Sequence, residues 1–431
     1  MSRIDELIEE FCPDGVPYKE LGEIGSFYSG LTGKSKSDFQ DGNAKFVTYM
    51  NVFSNIAVNT DISDYVKIKG GEKQNQLRQS DILFTGSSET PDECGMSSVL
   101  TKQTSNDLYL NSFCFGFRLN DEDLLLPNFS KYLFRSDSIR KQIIRTASGV
   151  TRFNVSKQKM LKVRIPIPPL PVQEEIARIL DTFTELETEL ESELEARKKQ
   201  YEYYRDKLLT LDKPTGFKRI DQLMAKVCPG EISFRRFGEI ATIVRGASPR
   251  PINQFITTDL NGINWIKIGD ISPGSKYVTS TAEKITIEGA QKSRFVRRGD
   301  FILSNSMSFG RPYILKCDGC IHDGWLAISD FNRTFLPDFL FHLLNSNEYQ
   351  RQMKQKASFG GAVQNLNADI VKNLLLPTPP LPVQEEIVWI LDRFDTLCND
   401  QTSGLPAEIE ARRKQYEYYR DKLLTFKELK A

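Results

Sequence analysis

Histidine is scarce: only His322 and His342 occur in 431 residues. Neither has a recognisable Ser, Cys or metal-ligand companion, so a hydrolytic triad or a His-rich metal centre is not expected. The seven cysteines are odd in number and scattered, which fits reduced thiols rather than a disulfide framework. Cys317-Asp-Gly-Cys320 has no second pair at zinc-ribbon spacing and reads as a turn with two free thiols, so no metal is assigned. No uninterrupted apolar run approaches the ~18 residues that a membrane helix needs. The opening Met-Ser-Arg-Ile-Asp-Glu-Leu-Ile-Glu-Glu is amphipathic and acidic, unlike a secretory leader, so a cytoplasmic protein without membrane contact is expected. Gly30-Leu-Thr-Gly33-Lys34-Ser35 resembles a P-loop but has Tyr28 where the first glycine belongs. Net charge is zero, but its distribution along the chain is uneven.

What is present is a repeat. Pro168-Pro-Leu-Pro-Val-Gln-Glu-Glu-Ile176 returns as Pro379 to Ile387, and Lys199-Gln-Tyr-Glu-Tyr-Tyr-Arg-Asp-Lys-Leu-Leu-Thr210 returns as Lys414 to Thr425. Weaker echoes join Cys12-Pro to Cys228-Pro, and Leu126-Pro-Asn-Phe129 to Leu336-Pro-Asp-Phe339. Each half is thus a body followed by a long helix. The helices are nearly identical; the bodies have diverged. The bodies are mildly basic, whereas the helix read over 173–210 holds 6 Lys/Arg against 11 Asp/Glu.

The first rod carries apolar residues at Ile176, Leu180, Phe183, Leu186, Leu190, Leu194, Tyr201, Tyr204 and Leu208. Their mean spacing is close to the 3.5 of a coiled-coil seam. Within it, TELETELESELE (184–195) writes a four-residue unit three times. Each copy lengthens a helix by about 6 Å and rotates the next part of the chain by about 40°. Stacked glutamates four apart repel weakly, so the rod needs a partner. The second rod offers one through Tyr416 and Tyr419, but Ser403-Gly404-Leu-Pro406 breaks it into two helices. The expected fold is α+β: two mixed α/β domains, separated by long helices that pair as an antiparallel coiled coil with pseudo-twofold repetition. The segments are 1–167 and 213–378 for the domains, and 168–212 and 379–431 for the helices.

Pro-Pro-Leu-Pro-Val-Gln-Glu-Glu-Ile with Gln-Tyr-Glu-Tyr-Tyr-Arg-Asp-Lys-Leu-Leu, present twice, strongly resembles the specificity subunit of type I restriction–modification enzymes. The resemblance implies two target-recognition domains, each reading one half of a split double-stranded DNA target. It implies no catalysis and no cofactor in this chain. S-adenosylmethionine, ATP and Mg²⁺ would serve its partners, two methyltransferase subunits and the restriction subunits. The Thr-Glu-Leu-Glu units resemble the tetrapeptide repeats that set spacer length in some members. Two rival readings stand beside it: a coiled-coil assembly protein with protein-binding domains, and a self-contained DNA methyltransferase or nuclease.

Base reading needs polar side chains on short loops. The first domain offers Lys34, Lys36, Ser87, Ser88, Thr151 and Arg152; the second offers Arg245, Ser248, Arg250, Ser306, Arg311, Gln364 and Asn365. Arg135, Arg140, Lys141 and Arg145 are placed on one helix as phosphate holders. A tetrapeptide's rotation nearly matches that of one base pair. Deleting Thr188–Glu191 should therefore leave both half-sites unchanged and bring them closer by about one or two base pairs. Methylome sequencing of a host carrying the complete complex reads this out; altered half-sites would count against the ruler.

Overall fold

The computed structural model describes residues 3–104, 107–211, 214–271, 274–305, 309–360 and 363–429. These form two compact units, Met1–Thr188 with Ala411–Ala431, and Glu189–Glu410. The units cut across the four consecutive segments read from sequence. Their division falls inside the helix Leu170–Thr210 and again inside the helix Leu405–Leu423.

Each unit is α+β. In the first, four antiparallel strands lie in the order Gly25–Ser29, Cys114–Leu119, Ile82–Thr85, Ser97–Val99. The central strand Ile82–Thr85 is buried throughout, as its continuous apolar run requires. A second sheet joins Tyr65–Val66, Ala44–Val47 and Leu108–Leu110. The second unit repeats this plan with a five-stranded sheet: Thr242–Arg245, Trp325–Ser329, Phe301–Ser304, Pro312–Leu315, Tyr277–Val278. Phe129, Tyr132, Leu133 and Phe134 in one unit, and Phe339 to Leu344 in the other, are buried core.

The first long helix begins at Leu170 rather than at residue 173, because the Pro169 carbonyl already accepts from the Val172 and Gln173 amides. Gln173 is fully buried and makes three hydrogen bonds. Its Oε1 accepts from the Leu126 amide at 2.9 Å, and its Nε2 donates to the Leu124 and Pro168 carbonyls at 3.1 and 2.8 Å. Gln384 repeats this pattern with the Leu336 amide at 2.9 Å and the Thr334 and Pro379 carbonyls, each at 2.8 Å. The repeated motif is therefore a clamp that fixes a helix start to the body preceding it.

The helix tails do the opposite job. In the second unit, Asp206 accepts from the Asn347 amide at 3.1 Å, at the start of the helix Asn347–Lys356. In the first, Asp421 accepts from the Asp137 amide at 3.1 Å, at the start of the helix Asp137–Ile144. Both carboxylates satisfy amides that a helix N-terminus leaves unpaired. Each body is thus held by the head of its own succeeding helix and by the tail of the other.

Side-chain pairing inside each unit is antiparallel. In the first, Phe183 stacks on Tyr419 at 5.6 Å and Glu187 meets Arg413 at 3.0 Å. In the second, Tyr201 and Tyr204 stack on Phe394 of the helix Leu381–Asn399, at 6.4 and 5.6 Å. Tyr201 is buried, while Leu190, Leu194 and Tyr416 are half-buried. Leu186 is 42 % exposed, since the Phe183–Glu187 step carries the seam past it. A second matched pair reinforces each body: Tyr132 donates to Asp181 at 2.6 Å, and His342 Nε2 lies 2.7 Å from Asp392. Burial holds His342 below the usual histidine range, and Tyr201 occupies its Nδ1 at 2.9 Å.

The break in the second rod lies where Gly-Leu-Pro predicts it. Asp400 accepts from the Thr402 amide and hydroxyl and from Ser403, which pulls its pKa down to about 2. A Cβ on Gly404 would lie 2.4 Å from the Thr396 carbonyl. Leu405 opens the last helix and Pro406 is its second residue, where a missing amide costs nothing.

Gln173→Leu or Gln384→Leu orphans a buried amide and two carbonyls. Each is expected to destabilise the full chain by about 2–4 kcal/mol in chemical denaturation. A change below about 0.5 kcal/mol would show that the clamp is incidental.

Candidate nucleic-acid interface

The loops selected from sequence meet in space within each unit. In the first, Ser87–Ser88 pairs with Phe153–Val155, which pairs with Ala147–Ser148. This small sheet brings Arg152 to Ser87: the guanidinium Nε donates to Ser87 Oγ at 3.0 Å. Arg152 and Thr151 are exposed, and the Arg152 guanidinium lies 5.8 Å from the ring centre of Phe113, itself 59 % exposed. Tyr49 donates to the Ser87 carbonyl at 2.8 Å. Lys157 reaches Ser29 Oγ at 3.3 Å and lies over the Phe115 ring at 5.2 Å; burial pushes its pKa down.

Three expected residues are placed differently. Ser87 and Ser88 are buried on the edge strand of the small sheet; Ser88 donates to Glu93 at 3.1 Å. The Lys34 side chain is 4 % exposed, and its ammonium sits 2.6 Å from both the Glu72 carboxylate and the Lys67 carbonyl. Hydrogen bonding from Lys34 is the main reason the Glu72 pKa falls to about 2. Lys36, by contrast, is exposed at the start of the short helix Lys36–Phe39.

The proposed phosphate row is corrected more sharply. Arg135 donates to the carbonyls of Ser97, Val52, Phe53 and Asn55, at 2.7, 3.1, 2.9 and 3.3 Å. It thereby caps the C-terminal end of the helix Tyr49–Ser54, where carbonyls lack partners. Arg140 is buried and donates to the carbonyls of Gly95, Asp92 and Cys94. Both guanidiniums hold loops together. Lys141 and Arg145 remain exposed.

In the second unit one residue, Asp323, gathers three of the selected residues, two on its carboxylate and one on its main-chain carbonyl. Ser248 Oγ donates to Asp323 Oδ1 at 2.7 Å, and Arg250 donates to Oδ2 at 3.2 Å. Arg245 Nε donates to the Asp323 carbonyl at 3.1 Å, and Asn305 Nδ2 donates to the same atom at 2.8 Å. The Ser248 hydrogen bond, helped by the Arg250 charge, lowers the Asp323 pKa. His322, beside it, is pushed below its usual range by burial near Trp265 and Trp325. Arg311 is exposed, with its guanidinium 5.8 Å from the Tyr313 ring centre. Ser306 lies outside the described residues. Gln364 and Asn365 lie on the strand Val363–Asn365, with side chains outside the described set. That strand leads to Leu366, whose amide donates to the Asn305 carbonyl at 2.8 Å.

The arrangement offers guanidiniums, hydroxyls, an amide and exposed aromatic surface at loop ends fixed by sheets. Among the described residues no group of His, Cys, Asp and Glu could hold a metal ion. Sequence reasoning missed Phe113, Tyr49, Lys157, Asn305 and Asp323. Asp323-Gly324 carries a turn signal, but nothing local says that Arg245, Ser248 and Arg250 face it.

A family model described as the type I restriction modification DNA specificity domain matches residues 13–197 and 229–411. The Escherichia coli EcoR124I/EcoR124II specificity subunit is 34 % identical over 287 residues, covering 63 % of this chain and 65 % of its own. A Haemophilus influenzae protein named as a type I restriction enzyme specificity subunit is 36 % identical over 289 residues, covering 65 % and 68 %. A solved chain from work on complex assembly and conformational transition of the type I R-M system matches with TM-score 0.62 at 19 % identity. That match covers 96 % of this chain and 98 % of the other, a likeness of fold. No helix among the described residues is long and apolar enough to cross a membrane.

Arg135→Met and Arg140→Met should each lower stability by about 2–4 kcal/mol, seen as an earlier unfolding midpoint. Lys36→Ala and Lys141→Ala should leave it within about 0.5 kcal/mol. Equal midpoints in all four variants would refute the capping role.

Proposed function

Because the chain belongs to the type I restriction–modification DNA specificity family, the non-catalytic recognition component of such systems, we propose that each unit reads one half of a split duplex target. The observation that carries this is the contrast within the repeat. Gln173 and Gln384 make the same three bonds, and Asp421 and Asp206 dock the same helix start. The loop surfaces they support carry different chemistry, with Arg152 and Phe113 in one unit and Arg245, Arg250 and Asp323 in the other. Identical mounts under different readers suit a protein that presents the same attachment twice and recognises two sequences.

In this reading the exposed Lys36, Thr151, Arg152, Arg245, Arg250 and Arg311 face DNA. Ser87 orients the Arg152 guanidinium from behind, and Ser248 holds the Asp323 carboxylate that meets Arg250. The helices set the separation of the half-sites and dock two methyltransferase subunits and the restriction subunits. S-adenosylmethionine, ATP and Mg²⁺ belong to those partners, whose adenine methylation and ATP-dependent cleavage supply the chemistry.

Binding of the purified chain to random duplexes should weaken steeply with salt. The log–log slope scales as about −0.9 per neutralised phosphate, and Lys36→Ala should reduce it by about 1 if that residue touches phosphate. A flat salt dependence would favour an assembly protein. Given S-adenosylmethionine and Mg²⁺-ATP, the chain alone should neither methylate nor cut DNA; either activity would overturn the assignment of chemistry to partners.

A further inference from the structure

The two units place the same short turn at the centre of their reading surfaces. In the first it is Asn111-Ser112-Phe113, leading into the strand Cys114–Leu119; in the second, His322-Asp323-Gly324, leading into Trp325–Ser329. Main-chain hydrogen bonds establish the equivalence. Leu31 donates to the Leu110 carbonyl at 2.7 Å, as Ala247 does to Ile321 at 3.2 Å. Gly30 donates to Cys114 at 3.3 Å, as Gly246 does to Trp325 at 2.9 Å. Gly86 donates to Phe113 at 2.8 Å, as Asn305 does to Gly324 at 3.1 Å. The turn itself closes the same way, with Cys114 donating to Asn111 at 3.0 Å and Trp325 to His322 at 3.2 Å. A Cβ on Gly30 would lie 2.1 Å from the Asn111 carbonyl, and one on Gly246 would lie 2.0 Å from that of His322. In each unit a glycine lets the turn's first carbonyl approach closely, and the same backbone bonding carries different side chains.

They differ in kind. Phe113 is an exposed ring with Arg152 over it, backed by Ser87. Asp323, one position earlier in its turn, takes hydrogen bonds from Ser248 and Arg250 on its carboxylate, and from Arg245 and Asn305 on its carbonyl. Arg250 is 81 % exposed and gives Asp323 only one nitrogen, at 3.2 Å. Its other guanidinium edge is left to donate. A guanidinium held from behind by a carboxylate suits the O6 and N7 acceptors of guanine in the major groove, and an apolar ring edge suits the methyl of thymine.

We infer that this turn is the specificity-determining element of each unit: Asp323 positions Arg250 to read a guanine in the second half-site, and Phe113 contacts a thymine in the first. The inference rests on the DNA-reading function proposed above. Asp323 is a positioning residue, acting through Arg250, whereas Arg250 and Phe113 touch the base.

The test uses the complete complex of this chain with its methyltransferase subunits, S-adenosylmethionine and a library of random duplexes, with methylated products sequenced. Asp323→Asn keeps the side chain's shape and removes its charge. It should cut the preference for one guanine in the second half-site by roughly ten- to hundred-fold and leave the first half-site unchanged. Arg250→Ala should lose the same position, and Phe113→Ala should relax one thymine in the first half-site only. Unchanged half-sites in all three variants would overturn the inference, as would Asp323→Asn altering the first half-site. If the parent complex selects no split site, the DNA-reading function fails with it. Retention by all three variants of the parent's salt slope on random duplexes separates a change of specificity from misfolding.

Discussion

One buried amide side chain per unit fixes each long helix to the body before it. Gln173 and Gln384 each join a helix start to the body in front of it through three hydrogen bonds in a site closed to water. A buried amide with one partner missing costs more than the bond is worth, so the clamp tolerates little rotation. It sets the phase of helix against body. The Leu-Pro turn it grips also begins the helices Pro127–Leu133 and Pro337–Asn345, which pack under the sheets whose ends carry the loops. An error at the clamp would reach the reading surface as a rotation.

The second constraint closes each body from the far side. Asp421 in one unit and Asp206 in the other dock the amide end of a helix that belongs to a body other than the one preceding them in sequence. The first unit is further sealed by main-chain bonds between Val16 and the C-terminal residues Lys427 and Leu429, and by an Arg164–Glu428 ion pair at 2.6 Å. Each unit therefore takes its helices from separate parts of the chain. The near-identity of the two helical segments has a physical reason: each has to fit both a head site and a tail site, while the loops make neither contact.

Much of this was legible in the sequence. The repeat, the helices, the break at Gly404 and the buried strands declare themselves through motif identity, the 3.5-residue seam, Gly-Pro punctuation and continuous apolar runs. The selected loops were legible as loops; one pair of them meets at Arg152–Ser87, and Ser248 and Arg250 of a single loop converge on Asp323. The errors share one cause. Arg135 and Arg140 read as phosphate holders and Lys34 as a base-reading candidate, yet their partners are main-chain carbonyls and a carboxylate 33 to 83 positions away along the chain. Local pattern shows that a cation is present and is silent about what faces it.

By itself, then, the sequence determined what recurs locally: the α+β bodies, the repeated rods, the break in the second, and the family. Those features rest on interactions within about four residues, or on motif copies that can be laid side by side. Tertiary structure alone decided which cations are free and which are caps. It decided that each helix tail serves a body other than its own, and that Asp323 and Phe113 occupy equivalent backbone turns. Such outcomes depend on contacts between distant parts of the chain, where the burial of one group is set by residues that no local window contains.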